Sequence, residues 1–165
     1  MARTATRNKR VKDGVRAKGF FRIKIMEDGR AVGDSGWKEN QVVDNGFQQF
    51  LQYVIVANAG SKTATHAAIG TGTVPAAAAT TLPGELGDAA GCRCALTTGT
   101  TGSKTVSFTF TLASGITTAV RTINNVGLFN GSTTNAGVMF AGNTYATSTL
   151  ATNQAVNGTY QISFA

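Results

Sequence analysis

The chain predicts a mainly β domain: an antiparallel β-sandwich of jelly-roll type, with one amphipathic helix and an extended basic N-terminal arm. Three observations carry this. Short runs alternate apolar and polar residues with period two, as in Val106, Phe108, Phe110 and Leu112 against Ser107, Thr109 and Thr111. The runs are separated by turns rich in Gly, Asn, Ser and Thr, the mark of sandwiches and barrels. One stretch alone carries a helical period: Phe47, Phe50, Leu51, Val54 and Ile55 make a single stripe between Asp44 and Gly60.

Taken in order, the first strand is expected over Phe20–Met26. Phe21, Ile23 and Ile25 alternate there with Arg22 and Lys24, so one face is apolar and the other basic. Asp28-Gly29 is a hairpin signal, and the chain returns through Ala31-Val32 to Trp37 and an extended Asn40–Val43. Asp44 or Asn45 is expected to cap the helix, and Gly60 to end it. Its stripe reads as core. A short strand at His66–Ile69 leads into a long Ala, Thr and Gly loop over residues 73–91, with Pro75 and Pro83. Strands follow at Arg93–Thr97 and Lys104–Leu112. The centre of the pattern is a hairpin within residues 123–146, whose arms Val126–Phe129 and Val138–Ala141 flank a polar loop. Residues 147–157 read as polar and irregular, and Thr159–Phe164 as the last strand. The expected organisation is an arm over residues 1–18 and one sandwich domain over 19–165.

At 165 residues such a domain buries enough surface to need no metal or disulfide staple. Its charge is uneven. Residues 1–30 hold ten Lys and Arg against three Asp and Glu, so the whole formal charge of +7 lies there. The remainder is neutral. The arm cations Arg3, Arg7, Lys9, Arg10, Lys12, Arg16 and Lys18 are the candidate partner-binding residues. With no apolar period, the arm is expected to order only against a partner. It also lacks aromatics between its cations, so an acidic or polar protein surface is favoured over nucleic acid, which stacks on such rings. No run of about 18 apolar residues predicts a membrane span. No apolar segment follows the basic start, so no secretory signal is expected.

Reactive constellations are not expected. His66 is the single histidine, and it has no acidic neighbour in sequence. Cys92 and Cys94 stand two apart, poorly spaced for a disulfide, and with His66 they match no zinc pattern. Both read as buried thiols. The segment Gly99–Lys104 lacks the spacing of a phosphate loop and precedes a strand rather than a helix. Carboxylates are too few to suggest a glycosidase pair. No catalytic residue, no metal and no cofactor is therefore predicted.

One ordered set of motifs goes further. It comprises Gly36-Trp-Lys-Glu-Asn40, Asp44-Asn-Gly46, Ile69-Gly-Thr-Gly-Thr73, Asn125-Val-Gly-Leu-Phe-Asn130, Val138-Met-Phe-Ala141 and the terminal Thr159–Phe164. Over residues 36–165 this series resembles small virion structural proteins of tailed bacteriophages. The resemblance implies a protein of the virion, made in the bacterial host cytoplasm. It further implies a capsid decoration (cement) protein bound to the major capsid protein shell, or else a tail, neck, baseplate or fibre-attachment component. Partners would be the major capsid protein or other virion subunits. Self-association as a homo-oligomer, with a trimer as the candidate, is expected. A soluble carbohydrate-binding or enzymatic β-domain is the remaining alternative. It is disfavoured by the scarcity of carboxylates and by the single Trp37, which is expected to pack near the helix.

Overall fold

Period-two alternation demands strands with one buried face, and most of the ten strands among the described residues meet that demand. A computed structural model describes residues 17–47, 63–102 and 105–164. The strands are β1 (Ala17–Glu27), β2 (Arg30–Asp34), β3 (Lys38–Val42), β4 (His66–Gly70), β5 (Arg93–Ala95), β6 (Thr97–Gly102), β7 (Thr105–Leu112), β8 (Arg121–Phe129), β9 (Met139–Leu150) and β10 (Ala155–Phe164).

All pairings are antiparallel, and they form one hydrogen-bonded path in the order β5-β4-β8-β9-β3-β1-β10-β7-β6, with β2 added to β1. The mainly β, antiparallel expectation holds. Where two stacked sheets were expected, the strands instead form a single sheet nearly closed into a barrel. Two features produce this. β3 pairs with β1 through Lys38–Asn40 and with β9 through Gln41-Val42, so one short strand joins the two halves. At the far ends of the path lie β5 and β6, consecutive in the chain with only Leu96 between them. The backbone itself spans the remaining gap.

Local chemistry explains the elements. Asp28 and Gly29 both take positive φ, at 47° and 76°, which makes the tight turn between β1 and β2. β1 buries Phe21, Ile23 and Ile25 while Arg22 and Lys24 face outward. β10 contributes Val156 and Tyr160 to the same interior, β7 contributes Phe110 and Leu112, and β8 contributes Ile123, Val126 and Leu128. Phe21 meets Tyr145 of β9 edge to face, with ring centres 6.0 Å apart.

A second, smaller core lies on the outside of the barrel wall. Ala68 of β4, Phe129 of β8 and Met139 of β9 point outward and are covered by Val43 and Leu82. This is why residues 125–129 are buried without alternation: the interior takes one face and the 73–91 loop covers the other.

Several expectations shift. Residues 147–157 are not an irregular stretch. β9 continues to Leu150, whose side chain is buried opposite Arg121, and β10 already begins at Ala155. The strand expected over Arg93–Thr97 breaks at Leu96, because its two parts pair with different neighbours. Lys18 does not belong to the arm: β1 starts at Ala17, and Lys18 pairs with Ser163. Of the predicted helix, only the turn Asp44–Phe47 is described, and the rest of its stripe lies outside the described residues. Its first hydrogen bond runs from the Phe47 N–H to the Val43 carbonyl, so Val43 rather than Asp44 or Asn45 occupies the capping position. Phe47, expected in the core stripe, is 39% exposed.

Candidate functional site

The strand registers bring many chain segments to one end of the barrel. β1 begins at Ala17 opposite Phe164 of β10. β7 begins at Thr105, opposite Ser163, with their hydroxyls 2.9 Å apart. β3 runs antiparallel to β1 and so ends at Val42 at this same end, beside Ala141 of β9. β8 ends here at Phe129, opposite Met139 and His66. The arm therefore joins the barrel at the same end as the start of the helical turn, the start of β4 and the β8–β9 loop. Of the candidate partner-binding residues, Arg3, Arg7, Lys9, Arg10, Lys12 and Arg16 lie outside the described residues. Lys18 stands exposed on β1 at the base of the arm.

The β8–β9 loop at this end is firmly built. The Asn130 side-chain carbonyl accepts the Val138 N–H at 2.8 Å, and the Asn130 N–H bonds the Val138 carbonyl at 3.2 Å. Asn135 and Gly137 take positive φ, as the polar composition predicted. Beneath the loop lies Arg93, the first residue of β5. Its side chain is 1% exposed and that of its partner Glu85 is 0% exposed. Arg93 Nε and Nη2 both donate to the Glu85 carboxylate, the second at 2.9 Å. Nη1 donates to the Gly131 carbonyl at 2.8 Å, and Nη2 also reaches the Ala136 carbonyl at 3.1 Å. Glu85 accepts the Asn135 N–H as well, at 3.2 Å. A desolvated guanidinium thus ties the 73–91 loop to the hairpin loop.

Another ion pair fastens the 73–91 loop to β8. Arg121 grips Asp88 through two hydrogen bonds of 2.6 and 2.9 Å. Those bonds are the main reason the Asp88 carboxyl is held below its ordinary range. Asn125, buried on β8, donates to the Pro83 carbonyl at 2.8 Å and so fastens the loop to the barrel wall. His66 Nδ1 lies 2.9 Å from the Thr65 hydroxyl, and burial, helped by the Arg93 charge, lowers its pKa. Cys92 and Cys94 are free thiols within the core. Among the described residues, no three His, Cys, Asp or Glu side chains converge as metal ligands.

No protein family, no curated protein and no solved structure matches the chain.

Trp37 stands 47% exposed at a groove on the outer face of β1 and β10. Most of the helix it was expected to pack near lies outside the described residues. Neither this position nor the Arg93 centre was legible in the sequence, since each depends on partners distant in the chain. The one local hint for Arg93 was a cation in an otherwise apolar stretch between Cys92 and Cys94.

Proposed function

We propose that this chain is a structural protein of a tailed-bacteriophage virion, and specifically a capsid decoration protein that binds the major capsid protein shell. The resemblance of residues 36–165 supplies the class. The observation that best supports a docking role is the register that joins the basic arm to the end of the barrel that also carries a braced hairpin loop. A barrel of small net charge joined to an arm that carries six cations against one anion can combine a shaped contact at that end with electrostatic attraction along the arm. Each exposed pair contributes about 0–1 kcal/mol and weakens with salt. Six cations together with the end of the barrel can still decide occupancy, and repetition over a shell multiplies that effect. A tail, neck or baseplate position is the second reading, on the same resemblance. Copy number separates them: hundreds per particle for a decoration protein, far fewer for a tail component.

The test is co-sedimentation with genome-free particles, using the full chain and a variant lacking residues 1–16, which leaves β1 whole. The full chain is expected to bind, and the shortened one to bind weakly with a flatter salt dependence. If empty particles take up none while the full chain holds bare DNA with a steep salt slope, the arm is a nucleic-acid tether and the proposal fails.

A further inference from the structure

We propose that the groove beside Trp37 binds an acidic saccharide. This goes beyond the virion reading and does not rest on it. The groove measures about 300 Å³ and is bordered by Arg22, Lys24, Met26, Trp37, Asn157 and Thr159. Arg22 pairs directly with Thr159 and Lys24 with Asn157, so cation and hydroxyl or amide stand side by side on the outer face.

Trp37 is held there by a turn that is already organised. β1 is flanked by β3 at residues 19–21 and by β2 from Lys24 onward, and Ser35-Gly36-Trp37 crosses between them. Ser35 bonds Ile23 twice: its N–H donates to the Ile23 carbonyl and its hydroxyl oxygen accepts the Ile23 N–H, each at 2.9 Å. The same hydroxyl donates to the Gly36 carbonyl at 2.8 Å. The Gly36 N–H donates to Asp34 Oδ1 at 2.9 Å, and φ of +63° at Gly36 suits glycine. Placing an indole in this way leaves little ordering cost for a ligand to meet.

The polar groups favour an anion bearing hydroxyls. Arg22 gives Nε and Nη2 to Asp34, which anchors the guanidinium, and no partner for Nη1 is found among the described residues. Lys24 likewise has no hydrogen-bonded partner among them. The Asn157 side-chain carbonyl is taken by the Thr111 hydroxyl at 2.9 Å, so its NH₂ is the end left to donate. A pyranose ring can stack on the indole, with its hydroxyls meeting Thr159 and Asn157 and its carboxylate or sulfate meeting Lys24. A tracked nucleic-acid strand would need successive stacking platforms, and the groove offers one.

Trp37 is the single tryptophan, so its emission reports this site alone. The full chain is titrated with oligogalacturonate, sialyllactose and a heparin tetrasaccharide, with cellotetraose and a single-stranded oligonucleotide as comparisons. At least one acidic saccharide is expected to shift the emission saturably and to bind more tightly than cellotetraose. Lys24→Gln should weaken that binding roughly tenfold, the loss of one charge-assisted hydrogen bond. Trp37→Ala, followed by calorimetry, should abolish it, and both variants should keep the parent melting temperature. No saturable shift with all three acidic probes overturns the proposal. So does equal affinity for cellotetraose, or tighter binding of the oligonucleotide.

Discussion

The Arg93 guanidinium carbon lies 3.5 Å from the centre of the Phe129 ring, and Glu85 holds the guanidinium in place there. A buried charge is thereby neutralised by a carboxylate, stacked on an aromatic face and hydrogen-bonded to two carbonyls of the hairpin loop. The arrangement locks β5 and the 73–91 loop to a hairpin loop far along the chain.

Removing one partner should leave the other charge buried and unpaired. Arg93→Met or Glu85→Leu is therefore expected to cost about 3–5 kcal/mol in denaturant unfolding. The double variant should cost clearly less than the sum, because neither charge is then orphaned. Strict additivity would show that the pair is not energetically coupled. Phe129→Ala removes both the core ring and the stacking face, and should cost about 3–5 kcal/mol. Phe108 is only partly buried against the core. Its replacement by Ala should cost about 1–2 kcal/mol, the ordinary range for a single substitution.

Tyr160 is fully buried, and its hydroxyl has no hydrogen-bond partner among the described residues. Burial alone pushes its pKa well up. Tyr160→Phe removes an unsatisfied polar atom while keeping the ring, so the variant should be as stable as the parent or up to about 1 kcal/mol more stable. A measured loss beyond about 1 kcal/mol would show that the hydroxyl makes a favourable bond in solution.

Acid should weaken two ion pairs. Asp34 is held below the ordinary carboxylate range first by its hydrogen bonds from Arg22 and then by the Gly36 N–H. Asp88 is held down chiefly by Arg121. Each carboxyl releases its proton more readily when folded. Their contribution is thus complete above the unfolded value near about pH 4 and is lost as pH falls through the folded values. The Arg22–Asp34 pair is about one-third exposed and contributes little through solvent screening. Most of the effect should therefore come from Asp88, whose side chain is 10% exposed. Melting temperature should fall from about pH 4 downward, and Asp88→Asn should flatten that fall more than Asp34→Asn. Identical acid profiles for parent and both variants would contradict this.

Cys94 lies in the core, where burial and the neighbouring Cys92 push its pKa up to about 12. Only the thiolate reacts readily, and Cys92 is shielded by burial, so neither cysteine should be labelled by a thiol reagent in the folded protein. Both should react in denaturant. Rapid labelling of native protein would show that this part of the wall opens.

What the sequence by itself determined was local. The inward faces of β1 and β7 follow from alternation. The turn at Asp28-Gly29 and the φ values of Asn135 and Gly137 follow from side chains that tolerate positive φ. The concentration of charge in the first thirty residues needs no structure at all. Tertiary structure alone decided the rest. Whether the strands stack or close depends on β3 pairing to both halves and on β5 and β6 meeting through Leu96, which are long-range choices of register. Arg93 could be buried only because Glu85 and the carbonyls of Gly131 and Ala136 arrive from elsewhere in the chain. Residues 125–129 lose their alternation because a distant loop covers their outer face. Trp37 is exposed because the turn that carries it is fastened to Ile23 and Asp34 on the outside of the sheet. Periodicity reports which face a residue takes relative to its neighbours. It carries no information about what another segment will place against that face.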